Sequence, residues 1–141
     1  MAVQPLRDPA PAKSDPLWET IRDEARITAR QEPILASFLH ASLLNHRDLG
    51  AALSFTLAGK LDGATVPAMV VREVVEAAID ADPALLDRVR ADLLAVRERD
   101  PACPGYSVPL LYFKGFQAIQ AYRIAHALWR DGREALALFL Q

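Results

Sequence analysis

One carboxylate stands where the helical pattern of this sequence breaks without taking on the composition of a solvated linker. The segment reads Arg97-Glu98-Arg99-Asp100-Pro101-Ala102-Cys103-Pro104-Gly105-Tyr106-Ser107-Val108-Pro109. A plain connector needs only Gly, Pro and small polar residues, whereas this one places an aspartate beside two arginines and adds a tyrosine before an apolar helix. Asp100 is therefore the leading site candidate. The structural alternative is a helix cap, because Asp15-Pro16 and Asp82-Pro83 show that this chain uses Asp-Pro to start helices. After Pro101, however, only Ala102 and Cys103 precede Pro104-Gly105. At most one tight turn can follow, and a cap there stabilises little. The carboxylate is expected to be freer than its two counterparts, and spacing leaves both roles open, since side chain to backbone bonds in such turns are common.

The other reactive residue types form no constellation. Cys103 is the only cysteine, which excludes an internal disulfide and suits a reducing compartment. With no histidine near it in sequence to activate it, it reads as a reduced loop thiol. His40, His46 and His126 lack metal-ligand spacing and no HExxH occurs, so they read as structural and no metal is predicted. The six glycines form no phosphate-binding fingerprint. Gly105-Tyr106-Ser107-Val108-Pro109 matches half of a hydrolase elbow, but its second glycine is a proline and no strand precedes it.

With 141 residues, 52% of them hydrophobic, the chain has the size and apolar content of one globular domain. Its 16 basic and 18 acidic residues are interleaved, giving a net charge of −2 and no basic face to grip phosphate. Nucleic acid is not an expected partner. The longest uncharged stretch near the middle, residues 49–59, is far short of the roughly 20 apolar residues of a membrane span. Residues 1–14, rich in Pro and Ala without the apolar segment of a secretory signal, read as a disordered leader. A soluble cytoplasmic protein with no membrane partner is expected.

The elements that must position Asp100 are all helical. Asp15-Pro16 starts a first helix over residues 16–30, with Leu17, Ile21 and Ala25 inward. Glu32-Pro33 starts a second, with Ile34, Phe38, Ala41 and Leu44 or Asn45 as its stripe. Asp48 can cap a third whose Leu49, Leu53, Leu57 and Leu61 make a leucine face, ended by Gly63. Thr65-Val66-Pro67 opens a fourth with Val66, Val70, Val74 and Ala77 inward and an Arg72–Glu76 pair outside. Asp82-Pro83 opens a fifth carrying Leu86, Val89, Leu93 and Val96, which ends at Arg99. Beyond the break, one long helix is predicted from Pro109 to about Asp131, a central post of roughly 34 Å. Its faces would be Leu111, Gly115, Ala118, Tyr122, Ala125, Trp129 and, beside it, Tyr112, Phe116, Ile119, Arg123, His126. Gly132 ends it, and residues 133–141 form a last short helix. Its apolar end would normally meet another element, so the chain reads as the front part of a longer protein.

Four segments, taken together and in order, resemble one family. They are Glu32-Pro33-Ile34-Leu35-Ala36-Ser37-Phe38, Ile79-Asp80-Ala81-Asp82-Pro83, Ala95-Val96-Arg97-Glu98-Arg99-Asp100-Pro101-Ala102, and Leu110-Leu111-Tyr112-Phe113-Lys114-Gly115-Phe116-Gln117-Ala118-Ile119-Gln120-Ala121-Tyr122-Arg123. The likeness is to the helical N-terminal domain of bacterial serine acetyltransferase and extends over residues 17–141. It implies an all-α domain, residues 15–141, from an enzyme that transfers acetyl from acetyl-CoA to the hydroxyl of L-serine, giving O-acetylserine for cysteine synthesis. The family's catalytic half is a left-handed β-helix of hexapeptide repeats carrying the general base and the acetyl-CoA site, and no part of this sequence matches it.

What does match is the aspartate of the Arg-Asp-Pro-Ala loop. The resemblance implies that Asp100, with Pro101 beside it, helps hold the substrate serine at the domain junction. An ionised carboxylate can pair with the serine ammonium and orient the hydroxyl towards a base supplied from elsewhere. Acetyl transfer also needs that base and donors for the oxyanion, so the isolated chain should be inactive, with no cofactor bound to it and acetyl-CoA as co-substrate of the full enzyme. The family further implies a hexamer built as a dimer of trimers, which would give apolar stripes such as residues 49–61 somewhere to bury, the alternative being an intramolecular core. Its other partner, O-acetylserine sulfhydrylase, binds a C-terminal tail not contained in this sequence. A different hypothesis is a stand-alone helical oligomerisation module, and the coding sequence after Gln141 separates the two.

Overall fold

Asp15 sets where the described part of the molecule begins to be regular. In the computed structural model, which describes residues 14–141, its carboxylate accepts from the Trp18 amide at 3.3 Å while Pro16 occupies the first turn of α1 (Pro16–Gln31). The leader expected over residues 1–14 lies, except for Ser14, outside the described residues. A 3₁₀ turn (Pro33–Leu35), the short α2 (Ala36–Leu39) and a π turn (His40–Leu44) follow. Asp48 caps α3 (Leu49–Lys60) by accepting from the Ala51 amide at 2.8 Å. Then come α4 (Ala68–Ala81), α5 (Ala84–Arg99), α6 (Ser107–Tyr112), α7 (Lys114–Arg130) and α8 (Glu134–Phe139). Gly132, at φ 80°, makes the left-handed turn between the last two. The fold is all-α, as predicted, with no strand among the described residues.

α3 packs on α4, α8 on α7, and α1 on the segment of mixed turns, while α4, α5 and α6 all meet α7. Their shared core is centred on Ile21, Leu43, Leu49, Leu53, Leu93 and Leu110, all essentially inaccessible. Each such side chain contributes about 1.5–3 kcal/mol through burial. Leu49, Leu53 and Leu57 thus belong to the chain's own core, and only Leu61 remains half-buried. The intramolecular alternative holds for that face, and an interface between subunits is not needed to cover it.

Three predicted faces are displaced. In the second helical segment Ile34 is 88% exposed, Phe38 and Ala41 are also exposed, and Leu39, Ser42 and Leu43 are buried instead. Leu35, Leu39 and Leu43 form a second stripe with the same spacing of four. The segment also changes from 3₁₀ to α to π geometry, the last closed by the Asn45 amide on the His40 carbonyl at 2.9 Å. Extrapolation at a constant 3.6 residues per turn therefore points to the wrong side. In α4 the buried residues are Val71, Val75, Ala78 and Ile79, one position on from the predicted stripe, with Val70 and Ala77 exposed. The expected Arg72–Glu76 pair does form, at 2.9 Å.

The single long helix after the break is in fact two. Phe113 is extended (φ −83°, ψ 103°) and separates α6 from α7. The backbone carbonyls of Leu110 and Leu111, released from a continuous ladder, accept from the Gln117 side-chain amide at 3.1 and 3.0 Å. That buried glutamine removes the penalty of ending a helix inside the protein. α7 alone spans about 25 Å, shorter than the predicted post. It turns Phe116, Gln117, Gln120, Ile124, Ala125 and Leu128 inward, leaving Tyr122, Ile119, His126 and Trp129 exposed.

The face assignment in the second segment has a direct check in the chemical denaturation of two variants. Leu39→Ala should lose about 3 kcal/mol, the usual result of emptying a buried leucine site. Ile34→Ala should change stability by no more than about 0.5 kcal/mol. Equal losses at the two positions would reverse the assignment.

Candidate functional site

Asp100 terminates α5. Its own amide still donates to the Val96 carbonyl at 2.9 Å, and its backbone then leaves the helix (φ −104°, ψ 101°). The next residues form a tight turn in which Asp100 Oδ1 accepts from the Ala102 amide at 2.9 Å and the Asp100 carbonyl accepts from the Cys103 amide at 3.0 Å. Asp82 makes the same bond to the Ala84 amide at 3.1 Å. Asp100 is therefore bonded into its turn in the same way as Asp82, which corrects the expectation that it is the freer of the pair. Asp15 is the most engaged of the three, because it caps α1 and pairs with Arg90 at 2.8 Å. Asp100 keeps its second oxygen: among the described residues nothing in the protein bonds Oδ2, and neither Arg97 nor Arg99 forms an ion pair with it. The side chain is half-buried and Pro101 beside it is exposed.

The rest of the loop is held from α1. Glu24 Oε1 accepts from the Tyr106 amide at 3.0 Å and Oε2 accepts from the Ser107 amide at 2.8 Å. These are first-turn donors of α6 that a helix of that length cannot satisfy itself. Ile21 and Ala25, buried on either side of Glu24, fix the position of that carboxylate. Gly105 makes the approach possible, since a Cβ there would lie 2.7–2.8 Å from the Glu24 carboxylate atoms. Cys103 is buried, and its thiol donates to the Gly105 carbonyl at 3.2 Å. It is a structural thiol of the loop, as its type and setting indicated.

A second polar cluster ties α5 to α7. Asp92 accepts from the Gln120 side chain at 2.8 Å and from the Arg123 guanidinium. Arg123 is thus engaged internally and does not reach the Asp100 turn. The three histidines stay apart from it in role as well. His46 is buried with Nε2 2.7 Å from the Ala41 carbonyl, whereas His40 and His126 are exposed. Among the described residues no group of three or more His, Cys, Asp or Glu could hold a metal ion.

Sequence reasoning found Asp100, Cys103 and the break itself but missed Glu24, which lies 82 residues from Tyr106. The only local signal was Gly105 before two amides at the start of an apolar helix, and that signal does not name its acceptor.

A helical scaffold that fixes an Asp-Pro turn in this way defines a known class. The family model described as "Serine acetyltransferase, N-terminal" matches residues 17–121, and the molecule is of the helical type found in that class of acyltransferase. The chain belongs to the serine acetyltransferase family. It is 57% identical over 125 residues to the serine acetyltransferase of Escherichia coli, an alignment covering 89% of this chain and 46% of that protein. The Haemophilus influenzae serine acetyltransferase is 50% identical, with 89% and 47% covered. Among solved structures, Neisseria gonorrhoeae serine acetyltransferase in complex with serine superposes with a TM-score of 0.87 at 49% identity, covering 92% of this chain and 54% of that one. The chain spans about half the length of the curated relatives it matches.

Two glycines separate the spatial requirement of the loop from general glycine effects. Gly105→Ala should lower stability by about 1–3 kcal/mol through overpacking. Gly115→Ala, with nothing within 4 Å of its added Cβ, should be neutral or stabilising by up to about 1 kcal/mol. Thermal unfolding of the two variants checks this, and a silent Gly105→Ala would remove the close approach to Glu24.

Proposed function

We propose that this chain is the helical domain, residues 15–141, of a serine O-acetyltransferase, and that Asp100 is its contribution to the substrate site. The enzyme transfers the acetyl group of acetyl-CoA to the hydroxyl of L-serine, giving O-acetylserine for cysteine biosynthesis in the cytoplasm. Acetyl-CoA is a co-substrate, bound by the part of the enzyme that carries the general base. The observation that carries the reading is the Asp100 turn: one carboxylate oxygen is spent on the backbone, and the other is unbonded within the described protein. Relatives of the same fold have been solved with serine, including the soybean enzyme and the Neisseria enzyme, and another with CoA.

In this role Asp100 Oδ2 pairs with the serine ammonium, and Pro101 limits the turn to one conformation beside it. The gain is orientation: the substrate hydroxyl is presented to a base on another domain instead of rotating freely. The Asp100 loop holds no histidine or lysine to take the hydroxyl proton, so the isolated chain binds or orients at most and does not turn over. The domain also supplies contacts for a homo-oligomer, which the family resemblance makes a hexamer. Tyr122, Trp129, Leu138 and Phe139 are large apolar side chains left exposed on α7 and α8, which favours assembly through that end. No helix among the described residues is long and apolar enough to cross a membrane.

Asp100→Asn is the direct test in the full-length enzyme. Asparagine keeps an oxygen for the Ala102 amide, so the turn survives while the charge is lost. The Michaelis constant for serine should rise by roughly 10–100-fold, the range expected when a charged partner is left without its counter-charge. That for acetyl-CoA should stay within about twofold, and equal effects on both would end the serine-positioning role. Light scattering on the 141-residue chain tests the assembly role: an oligomer at micromolar concentration is expected, and a strict monomer would refute it.

A further inference from the structure

We infer that Glu24 is a positioning residue for the serine site, holding the Asp100 carboxylate in place from α1 without touching the substrate. The inference rests on the reading of Asp100 as the serine-binding carboxylate and names what keeps that carboxylate where it must be.

The route from one carboxylate to the other is short and continuous. The Asp100 carbonyl accepts from the Cys103 amide at 3.0 Å, the Cys103 thiol donates to the Gly105 carbonyl at 3.2 Å, and the next two amides donate to Glu24 at 3.0 and 2.8 Å. Every link between Asp100 and Ser107 is thus a hydrogen bond within the turn or a bond to Glu24. The bonds to Glu24 are the ones that tie residues 100–107 to α1. The turn has few apolar anchors, since Pro101, Ala102 and Pro104 are exposed. Removing the α1 acceptor leaves the loop fixed mainly by its own local bonds, which hold its shape but not its place against the domain.

The chemistry requires a carboxylate at this position. Two backbone N–H donors converge on two oxygens, and glutamine, which has nearly the same shape, offers one oxygen and one NH₂. In Glu24→Gln one amide must therefore face another donor. The absence of a side chain at Gly105 points the same way, because the loop backbone can come this close to Glu24 only there. Glu24, Gly105 and the amides of Tyr106 and Ser107 act as one clamp.

Kinetics of the full-length enzyme and hydrogen exchange on the 141-residue chain test the inference together. Glu24→Gln should raise the Michaelis constant for serine by roughly tenfold through misplacement of the binding group, with that for acetyl-CoA within about twofold. The Tyr106 and Ser107 amides should exchange faster in this variant, while the core amide of Leu53 should not. Glu24→Asp keeps both acceptor oxygens on a shorter stem and should show a rise of no more than about threefold, which also serves if the glutamine variant folds poorly. Faster exchange at Tyr106 and Ser107 with an unchanged constant for serine would reduce Glu24 to a structural role and overturn the inference. Unchanged exchange, or equal rises for both substrates, would overturn it too. Asp100→Asn measured alongside separates the two levels. If it also leaves the constant for serine unaltered, the serine reading itself falls. If it raises that constant while Glu24→Gln does not, only the positioning role falls.

Discussion

The Glu24 carboxylate joins the two parts of the molecule that matter most to one another, the first helix and the loop that ends the fifth. Two amides, those of Tyr106 and Ser107, stand at the start of a helix of six residues, too short to satisfy or stabilise its own first turn. A single side chain from α1 accepts both. Once that contact is made, the direction of α6 is fixed, and with it the position of the turn that leads back to Asp100. Gly105 is the concession that the backbone makes for it, since any larger residue would occupy the space of the carboxylate.

The remainder of the structure makes that contact possible by ordinary means. Burial of leucine, isoleucine and valine from α1, α3, α4, α5 and α7 in one core holds the helices at fixed spacing. Charged groups add less. Arg26–Asp23 and Arg72–Glu76 are largely exposed pairs within single helices and contribute about 0–1 kcal/mol each. The half-buried set of Asp92, Gln120 and Arg123 does more for geometry than for energy, locking α5 to α7 next to the point where α5 runs into the Asp100 turn. Gln117 performs a comparable task at the α6–α7 bend by donating to two released carbonyls.

The family relationship gives this arrangement its context. In a domain that supplies one oriented carboxylate to a site completed elsewhere, rigidity of a single turn is worth more than a large pocket. The loop fits that description: most of its backbone donors are bonded, its thiol is buried as an internal donor, and one carboxylate oxygen is left over. The two other Asp-Pro junctions show the same local chemistry put to structural use alone, with Asp82 bonding its own turn and Asp15 capping α1 and pairing with Arg90. Local sequence is nearly the same in the three cases, and surroundings assign the role.

Read alone, the sequence determined the helices and their ends. Asp15, Asp48 and Asp82 before a helix, and Gly132 after one, act within a few residues of themselves, so their signals survive in any fold. The break at Asp100 was legible for the same reason. Which face of a helix is buried was not. α4 carries two valine stripes one residue apart, and the second segment carries both Ile34-Phe38 and Leu35-Leu39-Leu43, so periodicity supports either side equally. Packing against α1, α3 and α7 chose between them, as it chose to bend the chain at Phe113. Glu24 could not be found from sequence either, because nothing about a glutamate on an amphipathic helix shows that two amides 82 and 83 residues away will lie within 3.0 Å of it. Short-range bonds write themselves into local sequence. Contacts across the fold exist only once the core has set the distances.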